Sequence, residues 1–107
     1  MEIQQIQSLK KVYKIKRYTL EKAKKLGVSV KPSKVDGKKI DVFKNGVRIA
    51  SVGGEGYNDY PTYLDLEKKG KFPKGYAEKR RKQYKIRHRK DRSVKGSNGW
   101  YADQLLW

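Results

Sequence analysis

The sequence predicts a small single domain of α+β class, and three stretches carry that prediction: KKIDVFKNGVRIASVGG, YAEKRRKQYKIRHRKDR and WYADQLLW. In the first, Asn45-Gly46 lies between two β-rich runs, and that pair supplies the positive φ angles of a two-residue type I′ hairpin turn. The second holds no Pro or Gly and is rich in helix formers. The third gathers two Trp and two Leu in eight residues, an aggregation hazard unless it is buried. A chain of 107 residues builds one modest core.

Ile3, Ile6, Leu9 and Tyr13 recur at helical spacing, whereas VYKIK, residues 12 to 16, alternates as a strand does, so the period of this opening stays ambiguous. Residues 1–17 are read as an N-terminal arm or extension and residues 18–107 as the domain. Thr19 stands where an N-cap belongs, ahead of LEKAKKLG, with Leu20, Ala23 and Leu26 on one side and Gly27 as the stop, which predicts a short helix over 20–26. The hairpin strands are expected at about 39–44 and 47–52. With Lys44 opposite Val47, Phe43 opposite Arg48 and Val42 opposite Ile49, the residues Ile40, Val42, Val47 and Ile49 share one face, the expected core seed. Asp41, Phe43, Arg48, Ala50 and Val52 take the half-covered other face.

From Gly53 the texture turns to Gly, Tyr, Asp and Pro, which reads as a compact loop with one helical turn near TYLDLEKKG. The longest of two or three helices is expected at about 76–91. Its apolar stripe, Ala77, Tyr84 and His88, is thin, and nearly all else on it is cationic. SVKGSNG breaks that helix. WYADQLLW is too short for a full helix of its own by this reading and forms one turn or an extended clip, packed against the hairpin. There is no internal repeat and no low-complexity tract.

The charge sets the class of partner. The 28 Lys and Arg against 11 Asp and Glu leave a formal +17, which costs the free fold self-repulsion and favours anionic partners. An aromatic content of 11%, with eight Tyr, argues against a disordered polycation. The absence of cysteine removes disulfides, thiolate metal sites and cysteine nucleophiles, zinc fingers among them. No apolar run approaches the roughly 20 residues of a membrane span, and the N-terminus lacks the apolar core of a signal peptide. The expectation is synthesis inside a cell, in cytosol, nucleus or a viral factory.

Between Lys79 and Lys95, Asp91 is the one acid among ten Lys and Arg, and neutralising phosphates with such groups releases counterions. Lys79, Arg80, Arg81, Lys85, Arg87, Arg89 and Arg92 are the candidates for contact with a polyanion or an acidic partner, the guanidinium forks being suited to phosphate and carboxylate. The blander alternative is a solvated helix face. Tyr84, Trp100, Tyr101, Leu105, Leu106 and Trp107 are candidates for packing or partner contact, with intramolecular burial favoured. GGEG at 53–56 lacks the Lys-Ser/Thr of a P-loop and reads as a turn. His88 has no second His or Cys partner and is expected to pack or hydrogen-bond within its helix. Asp59 or Asp65 with Glu67 and Lys69 superficially suits metal-dependent phosphodiester cleavage, but the pattern is short and lies in a loop. No catalytic residue, metal, cofactor or small-molecule substrate is assigned.

At KKIDVFKNGVRIASVG, GYNDYPTYL, YAEKRRKQYKIRH and KGSNGWYADQLLW the chain resembles small basic virion-associated proteins of nucleocytoplasmic large DNA viruses, of the phycodnavirus and mimivirus type. The resemblance spans roughly residues 18–107, and its blocks fall on Lys38 to Val42, Gly56 to Tyr60, Arg81 to His88 and Gly99 to Trp107. It implies a non-enzymatic virion structural component, such as a minor capsid protein that bridges or cements capsid components through a basic surface. The implied partners are capsid proteins of the same virion, after synthesis in host cytoplasm or nucleus. It brings no catalytic residues. Composition argues for an alternative, a nucleic-acid-binding protein without sequence specificity, genome-condensing or ribosomal in style. Genome condensation spreads Lys and Arg over all faces, whereas a capsid role gathers them on one face beside an apolar patch.

Overall fold

Asn45 and Gly46 form the expected turn, at φ 53° and 79°, with Lys44 paired to Val47 and Phe43 to Arg48 across it. Beyond that pair the expected register fails. Val42 pairs with Ala50, not with Ile49, because a β-bulge places one extra residue on the second strand. A one-residue slip exchanges the faces of all later positions on the strand. Ala50 and Val52 therefore join Ile40 and Val42 in the core, while Val47 and Ile49 are 62% and 39% exposed. The predicted core seed is corrected accordingly at two of its four positions.

The computed structural model describes residues 12–107, so the stripe read at Ile3, Ile6 and Leu9 lies outside the described residues. In order the elements are α1 (Arg17–Leu26), β1 (Ser29–Pro32), β2 (Lys38–Lys44), β3 (Val47–Gly54), α2 (Tyr60–Lys68), α3 (Tyr76–Arg87), the single turn α4 (Arg89–Arg92) and α5 (Asn98–Leu106). The strands form one antiparallel sheet in the order β1-β2-β3, and the α+β class holds. The edge strand β1 was not foreseen. It pairs Val30 with Val42 and Pro32 with Ile40, and a strand edge is where a proline does not interrupt a ladder.

Local chemistry accounts for the helices and for their departures from expectation. In α1, Thr19 is not the cap. It lies buried one turn in, and its hydroxyl donates to the Leu105 carbonyl at 2.8 Å, a tertiary bond that locks α1 to α5. Gly27 stops the helix as expected, at φ 74° with its N–H on the Ala23 and Lys24 carbonyls. The Gly/Tyr/Asp/Pro loop ends in the nine-residue α2, longer than the predicted single turn. Asp59 caps it by accepting from the Thr62 N–H at 3.1 Å, and Pro61 sits in the first turn, where a missing N–H costs nothing.

The long basic helix is divided. It ends at Arg87, turns at His88 and resumes as α4. The Arg92 Nε donates back to the Lys85 carbonyl at 3.0 Å, satisfying one of the carbonyls that a helix end leaves free. At the close of the chain α5 is a true helix, with the Ser97 hydroxyl accepting from the Trp100 N–H at 3.2 Å.

The core joins both layers. Ile40, Val42, Ala50 and Val52 of the sheet meet Ala23, Tyr63, Ala77, Tyr84, Tyr101, Leu105, Leu106 and Trp107 in one buried cluster. Gly53 permits a close approach of α5 to the sheet: at φ 84°, a Cβ there would stand 2.8 Å from Leu106 Cδ1. Of the segment read as an arm, Tyr13 and Ile15 pack against this cluster, and Lys16 pairs with Asp65 at 2.9 Å.

Asp41 is buried on β2 and fully used. It accepts from the Ser33 hydroxyl at 2.6 Å, the Ser51 hydroxyl at 2.7 Å and the Lys34 N–H at 3.2 Å. Burial alone would raise its pKa, but these hydrogen bonds, with Arg48 nearby, hold it below the ordinary 3.8. A carboxyl whose folded value is depressed contributes stability above its unfolded value and loses it as the pH falls through the folded one. Ser51→Ala is therefore expected to lose about 1–3 kcal/mol at neutral pH, with the gap to the unmodified chain closing below the ordinary carboxylate range. Urea melts at a series of pH values test this; a gap that does not change with pH would count against it.

Candidate anion-binding cleft

Asp59 organises the region where the sheet, α2 and α3 come together. It is 1% exposed, and besides capping α2 it accepts from Lys39 Nζ at 3.0 Å and from the Tyr13 hydroxyl at 2.6 Å. Lys39, also buried, donates in addition to the Tyr57 carbonyl. Burial first, then the Asp59 charge, hold the Tyr13 phenol far above its usual range, so it stays a donor. This is a closed ion pair with its lone pairs filled, the arrangement in which buried charges are tolerated.

Beside that pair runs an aromatic ladder. Trp107 stacks on Tyr84 at 4.1 Å between ring centroids and 5° between planes. Tyr84 stacks in turn on His88 at 4.3 Å, which meets the expectation that His88 packs on its own helix. Tyr63 stands tilted against Trp107 at 6.3 Å. Burial, with the Asp103 and Asp91 charges adding to it, pushes the Tyr84 phenol up to about 12. The ladder forms one wall of a cleft of about 460 Å³ whose other walls are the end of β3, the 57–59 loop and α5. Four separate parts of the chain contribute to it: Lys38 and Lys39, then Tyr57 and Asn58, then Arg80, Arg87 and His88, then Asn98 and Gly99.

The basic candidates divide into two sets. Arg81, Lys85 and Arg92 are engaged inside the fold. Arg81 Nε donates to the Trp107 backbone oxygen at 2.7 Å while its guanidinium lies 4.9 Å from the Tyr60 ring centre. Lys85 pairs with buried Asp103 at 2.7 Å, and Arg92 stands 3.9 Å from the same carboxylate. Lys79, Arg87 and Arg89 are exposed. Arg80 is half-buried, with its guanidinium over Tyr63 at 5.5 Å and a place on the cleft wall. On α1, Lys22 is pushed down by burial and by the Lys85 and Arg81 charges.

Of the packing candidates, Tyr84, Tyr101, Leu105, Leu106 and Trp107 are all buried in the core, and Trp100 is half-buried, edge-on to Tyr101 at 4.9 Å. The intramolecular expectation for the terminal aromatics holds. The carboxylates of the nuclease-like pattern have other duties: Asp65 pairs with Lys16 and Lys69, and Glu67 accepts from the Ala77 N–H at 2.9 Å to cap α3.

Lys38, Tyr57, Asn58, Asn98 and Gly99 were not singled out from sequence. Asn98 and Gly99 had a readable signal, since Ser97 is an N-cap residue that places the two of them at a helix start; Lys38, Tyr57 and Asn58 had none beyond their surroundings. In comparisons with family models, curated proteins and solved structures, nothing matches this chain.

Proposed function

We propose that the chain is a non-enzymatic nucleic-acid-binding protein that grips phosphate through a many-sided cationic surface without reading base sequence. One observation carries this reading: among the described residues the fold buries three acids and one base, and it leaves cations exposed on nearly every element. Asp41, Asp59 and Asp103 are buried against internal partners. Exposed cations meanwhile stand on every element except α5, among them Lys24, Lys31, Lys44, Arg48, Lys68, Lys79 and Arg89. The surface is thus more positive than composition alone implies, and the spread over all faces is what phosphate binding favours over a single docking face.

The experiment is binding to random duplex DNA as a function of salt. Submicromolar affinity at about 150 mM salt, with a log-log slope corresponding to about six or more phosphates, is the expected result. Weak binding that vanishes near that salt concentration would overturn the reading. It would then favour the second one, a virion structural role as a minor capsid protein of a large DNA virus. That reading is supported by the resemblance and by exposed Val47 and Ile49 flanking Arg48 on β3, an apolar strip on an edge strand.

A further inference from the structure

We infer that the cleft between β3, the 57–59 loop, α3 and α5 is a subsite for one unpaired nucleotide of a single-stranded nucleic acid. The inference rests on the phosphate-binding reading above and adds to it a preference for strands whose bases are free.

The size suits the ligand. At about 460 Å³ the cleft lies within the range of sites that enclose a small molecule, and a base held in a duplex stack cannot enter it. Its charge suits phosphate. Lys38, Arg80 and Arg87 line it, and none has a carboxylate in ion-pair contact among the described residues. Among the described residues on its walls the one acidic side chain, Asp59, is already neutralised by Lys39. Arg80, Tyr84, Arg87 and His88 fall at i, i+4, i+7 and i+8 of one helical stripe, so two guanidinium groups flank the ring stack.

The third property is aromatic surface. Tyr57 is 78% exposed on the cleft rim, with its ring held against Gly54, where a Cβ would stand 3.0 Å from Tyr57 Cδ2. His88 is the outer, half-buried member of the Trp107–Tyr84–His88 stack. A cationic groove with exposed rings is the combination by which single strands are held without sequence preference, every base having a face to stack. Asn58 and Asn98, exposed at the same cleft, carry amides that donate and accept alike and so tolerate any base edge.

Fluorescence anisotropy with a labelled oligothymidylate of about 12 nucleotides and with a random duplex tests the inference, using the full chain. The unmodified protein is expected to bind the single strand more tightly. Tyr57→Ala and, separately, Arg87→Gln are each expected to weaken single-strand binding about tenfold while leaving duplex binding within about twofold. Both side chains are exposed, so thermal melts should be unchanged. Equal losses on both probes, or none on either, would overturn the subsite and leave the phosphate reading standing. Failure of the unmodified protein to bind either probe would overturn both.

Discussion

Asp59→Ala is expected to destabilise the fold by about 3–5 kcal/mol, the cost of leaving a buried charge without its partner. The substitution removes the shared acceptor of Lys39 Nζ, the Tyr13 hydroxyl and the Thr62 N–H, and leaves Lys39 with the Tyr57 carbonyl alone. Three bonds are lost at once, the one from Thr62 being the cap of α2. A domain of this kind has about 5–15 kcal/mol in total, so roughly a fifth of the stability or more goes with one carboxylate. Urea denaturation followed by circular dichroism measures it. Adding Lys39→Met should recover part of the loss, because the stranded ammonium is then gone and its stem is replaced by an apolar side chain. A loss under about 1 kcal/mol would show that Lys39 reaches water and that the pair is not closed.

Trp107→Ala ranks beside it, at about 3–5 kcal/mol. The indole is 9% exposed, stacks on Tyr84 and tilts against Tyr63, so its removal opens a cavity in the core and exposes the face of Tyr84. Besides the lost stability, an absorbance titration reports the change. With burial relieved, the Tyr84 phenol should titrate lower than its present value of about 12. Trp107→Phe should retain most of both properties, since a ring still fills the gap. An Ala variant as stable as the parent, with Tyr84 titrating unchanged, would mean that the ladder contributes little to the fold.

Features written in adjacent residues were legible in the sequence, and those requiring a distant partner were not. The Asn45-Gly46 turn and the Gly27 stop are local, set by backbone conformations few residues adopt. The bulge between Phe43 and Arg48 on one side and Val42 and Ala50 on the other was hidden, because Val47 and Ile49 are as apolar as Ala50 and Val52 and both alternations fit a strand. Thr19 looks like a cap until the Leu105 carbonyl arrives from 86 residues away. The start of α2 was present in Asp59 and Pro61 and was outweighed by the surrounding Gly and Tyr.

For the cleft, the basic character of α3 was plain. Which of its cations remain available was not, because Arg81 and Lys85 are engaged by Trp107 and Asp103, on the segment that closes the chain. The aromatic cover of the core therefore also selects the cations left for a ligand.

The bond between Thr19 and Leu105, and that between the Tyr18 hydroxyl and the Trp107 backbone oxygen at 3.1 Å, have a consequence for the order of folding. The sheet and α1 precede α5 in the chain and find their cover only when α5 is in place, so these elements fold as a unit and not one after another. Closure of the core draws Arg81 and Lys85 into internal contacts, so the set of cations left free is fixed only when α5 has docked.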